Sequence, residues 1–291
     1  MTKLSFTTLN DAADPTFNQL LGINNEGVIA GYFGSGTPPT THPNKGYTLT
    51  WPYQQGDYHN ENFPGSQQTQ VTGLNNRDLT VGFWADANGD NFGFVEHDGH
   101  FVNVVDPLAP KPAAGTPSVE QLLGVNDRDQ AVGFYVDAQG NSHGFVYEIG
   151  QHEFDAVNIS GFSNVTATGI NNDGDISGFV VNAQGQDEGF VRDEHGKVTL
   201  LAGPTGAVSS QALGLNNKGE VVGTYTDAGN KMHGFVYNEH DHSYLTVDDP
   251  KGVGTTTVNG INDRNQLVGF YVDSAGNTDG MLVNVAGLHK S

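Results

Sequence analysis

The chain has 291 residues, no cysteine, and 33 acidic against 12 basic side chains, a formal charge of −21. That balance repels nucleic acid and anionic membranes, and the missing cysteines exclude disulfides, thiolate metal sites and cysteine nucleophiles. No apolar run approaches a membrane span, and 40 glycines with 12 prolines suit a soluble, turn-rich, acidic all-β protein of bacterial type.

In chain order, Met1–Phe6 lacks the basic-then-apolar pattern of a secretory leader. As it stands the chain reads as cytoplasmic; a removed leader would make it secreted. Gly-(Ile/Leu/Val)-Asn-(Asn/Asp) then occurs six times, starting at Gly22, Gly73, Gly124, Gly169, Gly214 and Gly260. A second glycine follows nine residues later, at Gly31, Gly82, Gly133, Gly178, Gly223 and Gly269. Repeats spaced 45–51 residues apart have the length of propeller blades.

Each repeat divides into four short strands, a to d. The fourth repeat is clearest: a is Val165–Asn171, b is Asp175–Val181, c is Glu188–Arg192 and d is Val198–Ala202, with turns at Asn172-Asp173-Gly174, Asn182–Gly185 and Glu194–Gly196. The a–b turn ends in Gly27, Gly174 or Gly219, or in Asp78, Asp129 or Asn265, residues that tolerate positive φ. The sixth repeat stops after strand c. The segment Leu4–Asp11 matches the strand-d sequence Tyr244–Asp249 and supplies the missing piece. The expectation is one domain, a six-bladed β-propeller of four-stranded antiparallel blades, its last blade closed by the N-terminal strand. The blades fall at about 17–65, 66–110, 118–160, 164–204, 209–250 and 255–286 plus 3–11. A monomer is expected.

The pattern Gly-Ile-Asn-Asn, Val-Gly-Phe-Tyr-Val-Asp, Gly-Asn-x-His-Gly-Phe-Val resembles the bacterial HAF-repeat family of extracellular repeat proteins. The resemblance covers nearly the whole chain, and His143-Gly144-Phe145 and His233-Gly234-Phe235 match best. It implies a propeller and brings no shared catalytic motif. The absent leader departs from the family's extracellular character.

If strand a runs from top to bottom, the b–c and d–a loops share the top face. The two largest departures from the repeat both fall there, in neighbouring blades: Gly34–Lys45 and Asp106–Pro117. Proline stiffens both, and insertions gathered on one face mark it as the binding face.

Three repeat positions near the top could make a site. Three residues before each leading glycine stand Gln19, Gln70, Gln121, Thr166, Gln211 and Thr257. These donate and accept equally, and suit a sugar or simply hydrate the channel. Near the top of strand b stand Phe33, Trp84, Tyr135, Val180, Tyr225 and Tyr271. Such aromatics stack on sugars or pack between blades, and Trp84 is the strongest ligand-contact candidate. At the start of strand c stand Lys45, Phe92, His143, Glu188, His233 and Asp279. His143 and His233 could transfer protons, with Glu188 and Asp279 orienting them and Lys45 as an anchor. Metal is disfavoured, because strand-c side chains of neighbouring blades start roughly 10 Å apart while a Zn–N bond is about 2 Å.

Asp86, Asp137, Asn182, Asp227 and Asp273 open the b–c turns and are explained by Asx capping. Asp86-x-Asn88-x-Asp90 approaches a calcium loop but lacks its distant glutamate. Asn24, Asn75, Asn126, Asn171, Asn216 and Asn262 are identical in every repeat, and are expected to bond their turn or the next blade. His59, His97, His100, His152, His195, His240 and His242 occupy bottom turns as exposed residues. The favoured function is a binding module taking a polar small molecule, glycan or protein at the top face, without cofactor or metal. The alternative is a lyase, isomerase or hydrolase using the strand-c set in a top pocket.

Overall fold

A computed structural model describes residues 2–36, 42–107, 109 and 115–288. Six four-stranded antiparallel sheets form the blades of a propeller. The N-terminal strand β1 (Lys3–Thr8) belongs to the last of them. Blade 1 comprises β2 (Asn18–Ile23), β3 (Ile29–Phe33), β4 (Lys45–Leu49) and β5 (Tyr58–Asn60). Blade 2 comprises β6 (Gln68–Leu74), β7 (Thr80–Ala85), β8 (Asn91–His97) and β9 (His100–Val104). Blade 3 comprises β10 (Glu120–Val125), β11 (Gln130–Val136), β12 (Ser142–Glu148) and β13 (Glu153–Val157). Blade 4 comprises β14 (Val165–Ile170), β15 (Ile176–Val181), β16 (Asp187–Arg192) and β17 (Val198–Leu201). Blade 5 comprises β18 (Ala207–Leu215), β19 (Glu220–Asp227), β20 (Met232–Asn238) and β21 (Ser243–Val247). Blade 6 comprises β22 (Thr256–Ile261), β23 (Gln266–Val272) and β24 (Thr278–Ala286), and β1 pairs along β24 from Lys3↔Ala286 to Thr8↔Met281.

Every innermost strand carries a bulge just before its leading glycine, as between Leu122 and Gly124 in blade 3. The bulge turns the backbone toward the axis, where space runs out. A Cβ on Gly124 would lie 2.9 Å from the Cα of Gly169 in the next blade. The second glycine is equally confined: a Cβ on Gly133 would lie 1.9 Å from the carbonyl oxygen of Gln121. Both positions admit only glycine because backbone meets backbone.

The six identical asparagines close the ring. Each donates its side-chain amide to the backbone carbonyl of its counterpart in the next blade: Asn24 to Asn75, Asn75 to Asn126, Asn126 to Asn171, Asn171 to Asn216, Asn216 to Asn262, and Asn262 to Asn24. Each side-chain oxygen accepts backbone N–H groups of its own turn, as Asn126 does from Arg128 and Gln130. The next residue builds a second ring, in which Asn25, Asn76, Asp127, Asn172, Asn217 and Asp263 accept from one another's backbone N–H. The turns end in positive φ at Gly27, Asp78, Asp129, Gly174, Gly219 and Asn265.

Apolar residues fill the junctions between blades. Val132 and Val157 of blade 3, for example, pack with Val165, Ala167, Val180 and Phe190 of blade 4. Each fully buried Val or Phe contributes roughly 1.5–3 kcal/mol.

Asn126→Ala removes an inter-blade bond, two turn bonds and an amide bond to the Gln130 side chain, so it is expected to cost about 2–4 kcal/mol. Asn182→Ala, which removes only the two turn bonds of an exposed b–c turn, is expected to cost under about 1 kcal/mol. Urea unfolding of both compares them, and equal losses would remove the asparagine ring from the account of closure.

Candidate functional site

The axis is scaffold. It holds two cavities of about 100 and 70 Å³, lined by the asparagine rings and by the leading glycines with their neighbours. Ligand pockets run from about 300 Å³ upward, so these hold water-sized occupants. The glutamines at the upper end of the innermost strands spend their polar groups on adjacent strands. Gln70 donates to Asn44 at 3.0 Å, Gln121 to Asn91 at 3.4 Å and Gln211 to Asp187 at 2.6 Å, each on the preceding blade. Thr257 contacts Met232 in the same way, Gln19 accepts from Tyr32, and Thr166 is buried.

The strand-c residues stay within their own blades. His143 Nε2 lies 2.8 Å from Asp137, His233 Nδ1 2.9 Å from Asp248, and buried Asp279 accepts from Asn10 at 2.6 Å. Lys45 and Glu188 pair in register with Phe33 and Val180. Of the five residues that a top-face enzyme would gather, only His143 lines the cavity described next. Among the described residues no three His, Asp or Glu side chains are grouped to hold a metal ion. The b–c turns are closed by their own Asx bonds; Asp86, for instance, accepts from the N–H groups of Asn88 and Asp90. Residues 37–41 of the first long loop, and 108 and 110–114 of the second, lie outside the described residues.

The largest difference between blades lies at the upper outer edge, where the strand-b aromatic meets the chain arriving from the preceding blade. Two residues past the strand-d position opposite the strand-c glycine, the six repeats place Asp11, Phe63, Asp106, Ile159, Gly203 and Asp249. In blade 2, Phe63 lies flat on Trp84 with centroids 4.4 Å apart and planes 1° apart, while Phe92 and Phe101 close the sides. Trp84 also donates to Asn103 at 2.8 Å. In blade 4, Ile159 and Val180 are buried together. In blade 6, Tyr271 is buried and its hydroxyl lies 2.8 Å from Thr8 of the closing strand.

In blade 3 the corresponding residue is Asp106, and the cleft is open. A cavity of about 370 Å³ is lined by Asp106, Tyr135, His143, Phe154, Asn158 and Phe162, among others. Tyr135 and His143 stack with centroids 5.0 Å apart, 22° between planes. The imidazole bond to Asp137 holds that carboxyl well below its ordinary pKa. Ala156 stands where Thr246 and Thr8 bond the equivalent tyrosines. Behind the cleft, Glu120 accepts the backbone N–H of Asp106 at 2.7 Å. Asn18, Thr69 and Thr256 do this neutrally in other blades. Burial pushes Glu120 up to about 7, with Asp106 adding repulsion.

No protein-family model matches the sequence, and no curated protein sequence matches it. The fold is widely shared among solved structures. TolB from Acinetobacter baumannii superposes with a TM-score of 0.60 at 9% identity over 89% of this chain, which spans 65% of that protein. A propeller in a nidogen/laminin complex gives 0.54 at 12% identity, covering 89% and 98% of the two chains. The Aleuria aurantia lectin, solved with Fucα1-6GlcNAc, gives 0.55 at 10% identity, covering 93% and 94%. These likenesses establish the architecture. No helix of the described residues is long and apolar enough to cross a membrane.

The sequence reading singled out Tyr135, His143 and Trp84 and missed Phe63, Asp106, Glu120 and Asn158. Glu120 was visible, as the one ionisable residue four places before a leading glycine.

Phe63→Ala is expected to lower stability by about 2–4 kcal/mol and to open the blade 2 cleft, measured by denaturant unfolding and by increased access of quencher to Trp84. A second expectation concerns pH. Glu120 has a folded pKa above its ordinary value of 4.5, so ionising it costs stability as pH rises from about 4.5 to 7. Glu120→Gln should retain the stability that the wild type loses across that window, with the two curves converging at lower pH.

Proposed function

We propose that this propeller is a non-catalytic carbohydrate-binding module whose top face takes a sugar residue in the blade 3 cleft. One observation carries the reading. The chain fills the blade 2 cleft with its own flat ring, Phe63 on Trp84, and leaves the blade 3 cleft open over Tyr135 and His143. A pyranose presents a flat apolar face and an equatorial fringe of hydroxyls. The Tyr135–His143 pair supplies the platform, and Asp106, Asn141, Ser142 and Asn158 line the cavity with donors and acceptors for the fringe. Its volume falls in the range of small-ligand pockets.

The ligand named in the lectin structure belongs to that protein, yet it supports the reading that this architecture can present sugar sites. A HAF-repeat kinship, resting on the repeated Gly-x-Asn-Asn and His-Gly-Phe signatures, is compatible with the same role.

Isothermal titration with methyl glycosides of glucose, galactose, mannose, fucose and N-acetylglucosamine tests this. At least one is expected to bind, and Asp106→Phe, which copies the Phe63 lid, is expected to remove at least half of the binding capacity while leaving the fold intact. If none of the five binds, or if Asp106→Phe leaves capacity unchanged, the reading fails.

A further inference from the structure

Blade 5 repeats the stacked pair of blade 3, with the difference that Tyr225 also bonds Thr246 where blade 3 has Ala156. Tyr225 and His233 stack with centroids 4.9 Å apart and 22° between planes, against 5.0 Å and 22° for Tyr135 and His143. His233 Nε2 lies 3.4 Å from Asp227, the counterpart of Asp137. Its Nδ1 lies 2.9 Å from Asp248, where blade 3 has Asn158. No other blade has a histidine stacked on the strand-b aromatic, because Lys45, Phe92, Glu188 and Asp279 occupy the remaining strand-c positions.

The residue that would cover this pair is absent by substitution. The covering position is Gly203, with φ +85°, and a Cβ built there would lie 2.9 Å from the Ala207 Cβ and 3.5 Å from the Cβ atoms of Ser210 and Tyr225. A side chain at 203 would meet Ala207 before Tyr225, so the position requires glycine and sends no side chain over the tyrosine. Tyr225 and His233 both remain partly exposed. The two blades thus share a stacked platform, a carboxylate on the imidazole and no apolar side chain at the covering position, a combination absent from blades 1, 2, 4 and 6.

We propose that blade 5 carries a second sugar site of the same class, so that one face of the propeller binds two sugar residues and bridges glycan chains. This rests on the carbohydrate reading of blade 3. Blades 3 and 5 are two steps apart in a ring of six, so the sites face outward in directions about a third of a turn apart. That geometry favours two separate chains, or two branches, over adjacent residues of one short oligosaccharide. Avidity then exceeds the affinity of either site wherever the sugar is presented densely. The sites differ in charge. Burial works against a charge on His233, but Asp248 and Asp227 outweigh it and hold its pKa above the ordinary histidine value. Blade 5 therefore sets its imidazole between two carboxylates, and blade 3 sets its imidazole beside one.

The test titrates the same five methyl glycosides into wild type, Tyr135→Ala, Tyr225→Ala and the double variant. It also measures turbidity on mixing each protein with polyacrylamide conjugates of the five sugars. Two equivalents per chain are expected for the wild type, one for each single variant and none for the double, with turbidity from the wild type alone. His233→Ala, which removes the other half of the stack, replaces Tyr225→Ala should that variant not fold. A single equivalent, lost in Tyr135→Ala and retained in Tyr225→Ala, overturns the second site and leaves the first standing. No binding of any glycoside overturns both.

Discussion

The structure depends on a hydrogen bond that each blade makes with the next: a buried asparagine amide donated to the backbone carbonyl of its counterpart. A propeller has to close, and closure leaves turn carbonyls at the narrow end of every innermost strand away from water. An unpaired buried carbonyl costs about 1–3 kcal/mol. Six identical asparagines donate to six such carbonyls, of which those of Asn24, Asn171 and Asn262 also accept a turn N–H, while shaping their own turns with the other side-chain atom. Aspartate would set a carboxylate against a carbonyl, and glutamine would overreach the turn. The requirement is the same in every blade, which is why this residue never varies.

Closure at that radius explains the glycines and displaces function from the axis. Backbones of neighbouring blades approach until a Cβ on Gly124 would collide with Gly169, and what remains along the axis is two small cavities. Three of the four glutamines above them are tied to the preceding blade, and Gln19 to Tyr32 of its own. With the centre occupied by its own bonding, the scaffold tolerates variation only further out, where blades diverge and the d–a connections cross the junctions. Variation in chemical type is concentrated there.

The architecture was legible because its constraints recur at fixed spacing: the paired glycines, the asparagine, the turn residues of positive φ and the N-terminal strand that completes blade 6. The site was legible only in part. Position-by-position comparison of strands b and c finds Tyr135, His143, Tyr225 and His233, since these strands keep their length. The residue that covers each cleft lies in the d–a connection, which varies in length, and only the pairing of strands c and d aligns Phe63 with Asp106. Trp84 stood out because it departs most from its equivalents in the other blades, and the reason is local: it has Phe63 to pack against. Its divergence from the other blades records packing in blade 2, whereas the open cleft belongs to blade 3, where the aromatic itself is ordinary.

A junction between diverging sheets is a void unless something fills it, and the fillers in this chain are specific. Phe63 covers Trp84, Ile159 packs with Val180, and Thr8 meets Tyr271. An uncovered aromatic therefore has a cost that a purely structural propeller would remove with one substitution, as blades 2 and 4 do. In the two blades where histidine stacks on tyrosine, Asp106 puts a carboxylate at that position and Gly203, hemmed in by Ala207, puts no side chain there. Charge narrows what can enter. With 33 acidic against 12 basic side chains, and with Asp106 and Asp137 at one cleft and Asp227 and Asp248 at the other, an anionic group would be repelled from both clefts. A neutral ring is not. Its hydroxyls can donate to these carboxylates, and its apolar face can replace the Phe63 ring that blade 2 supplies for itself.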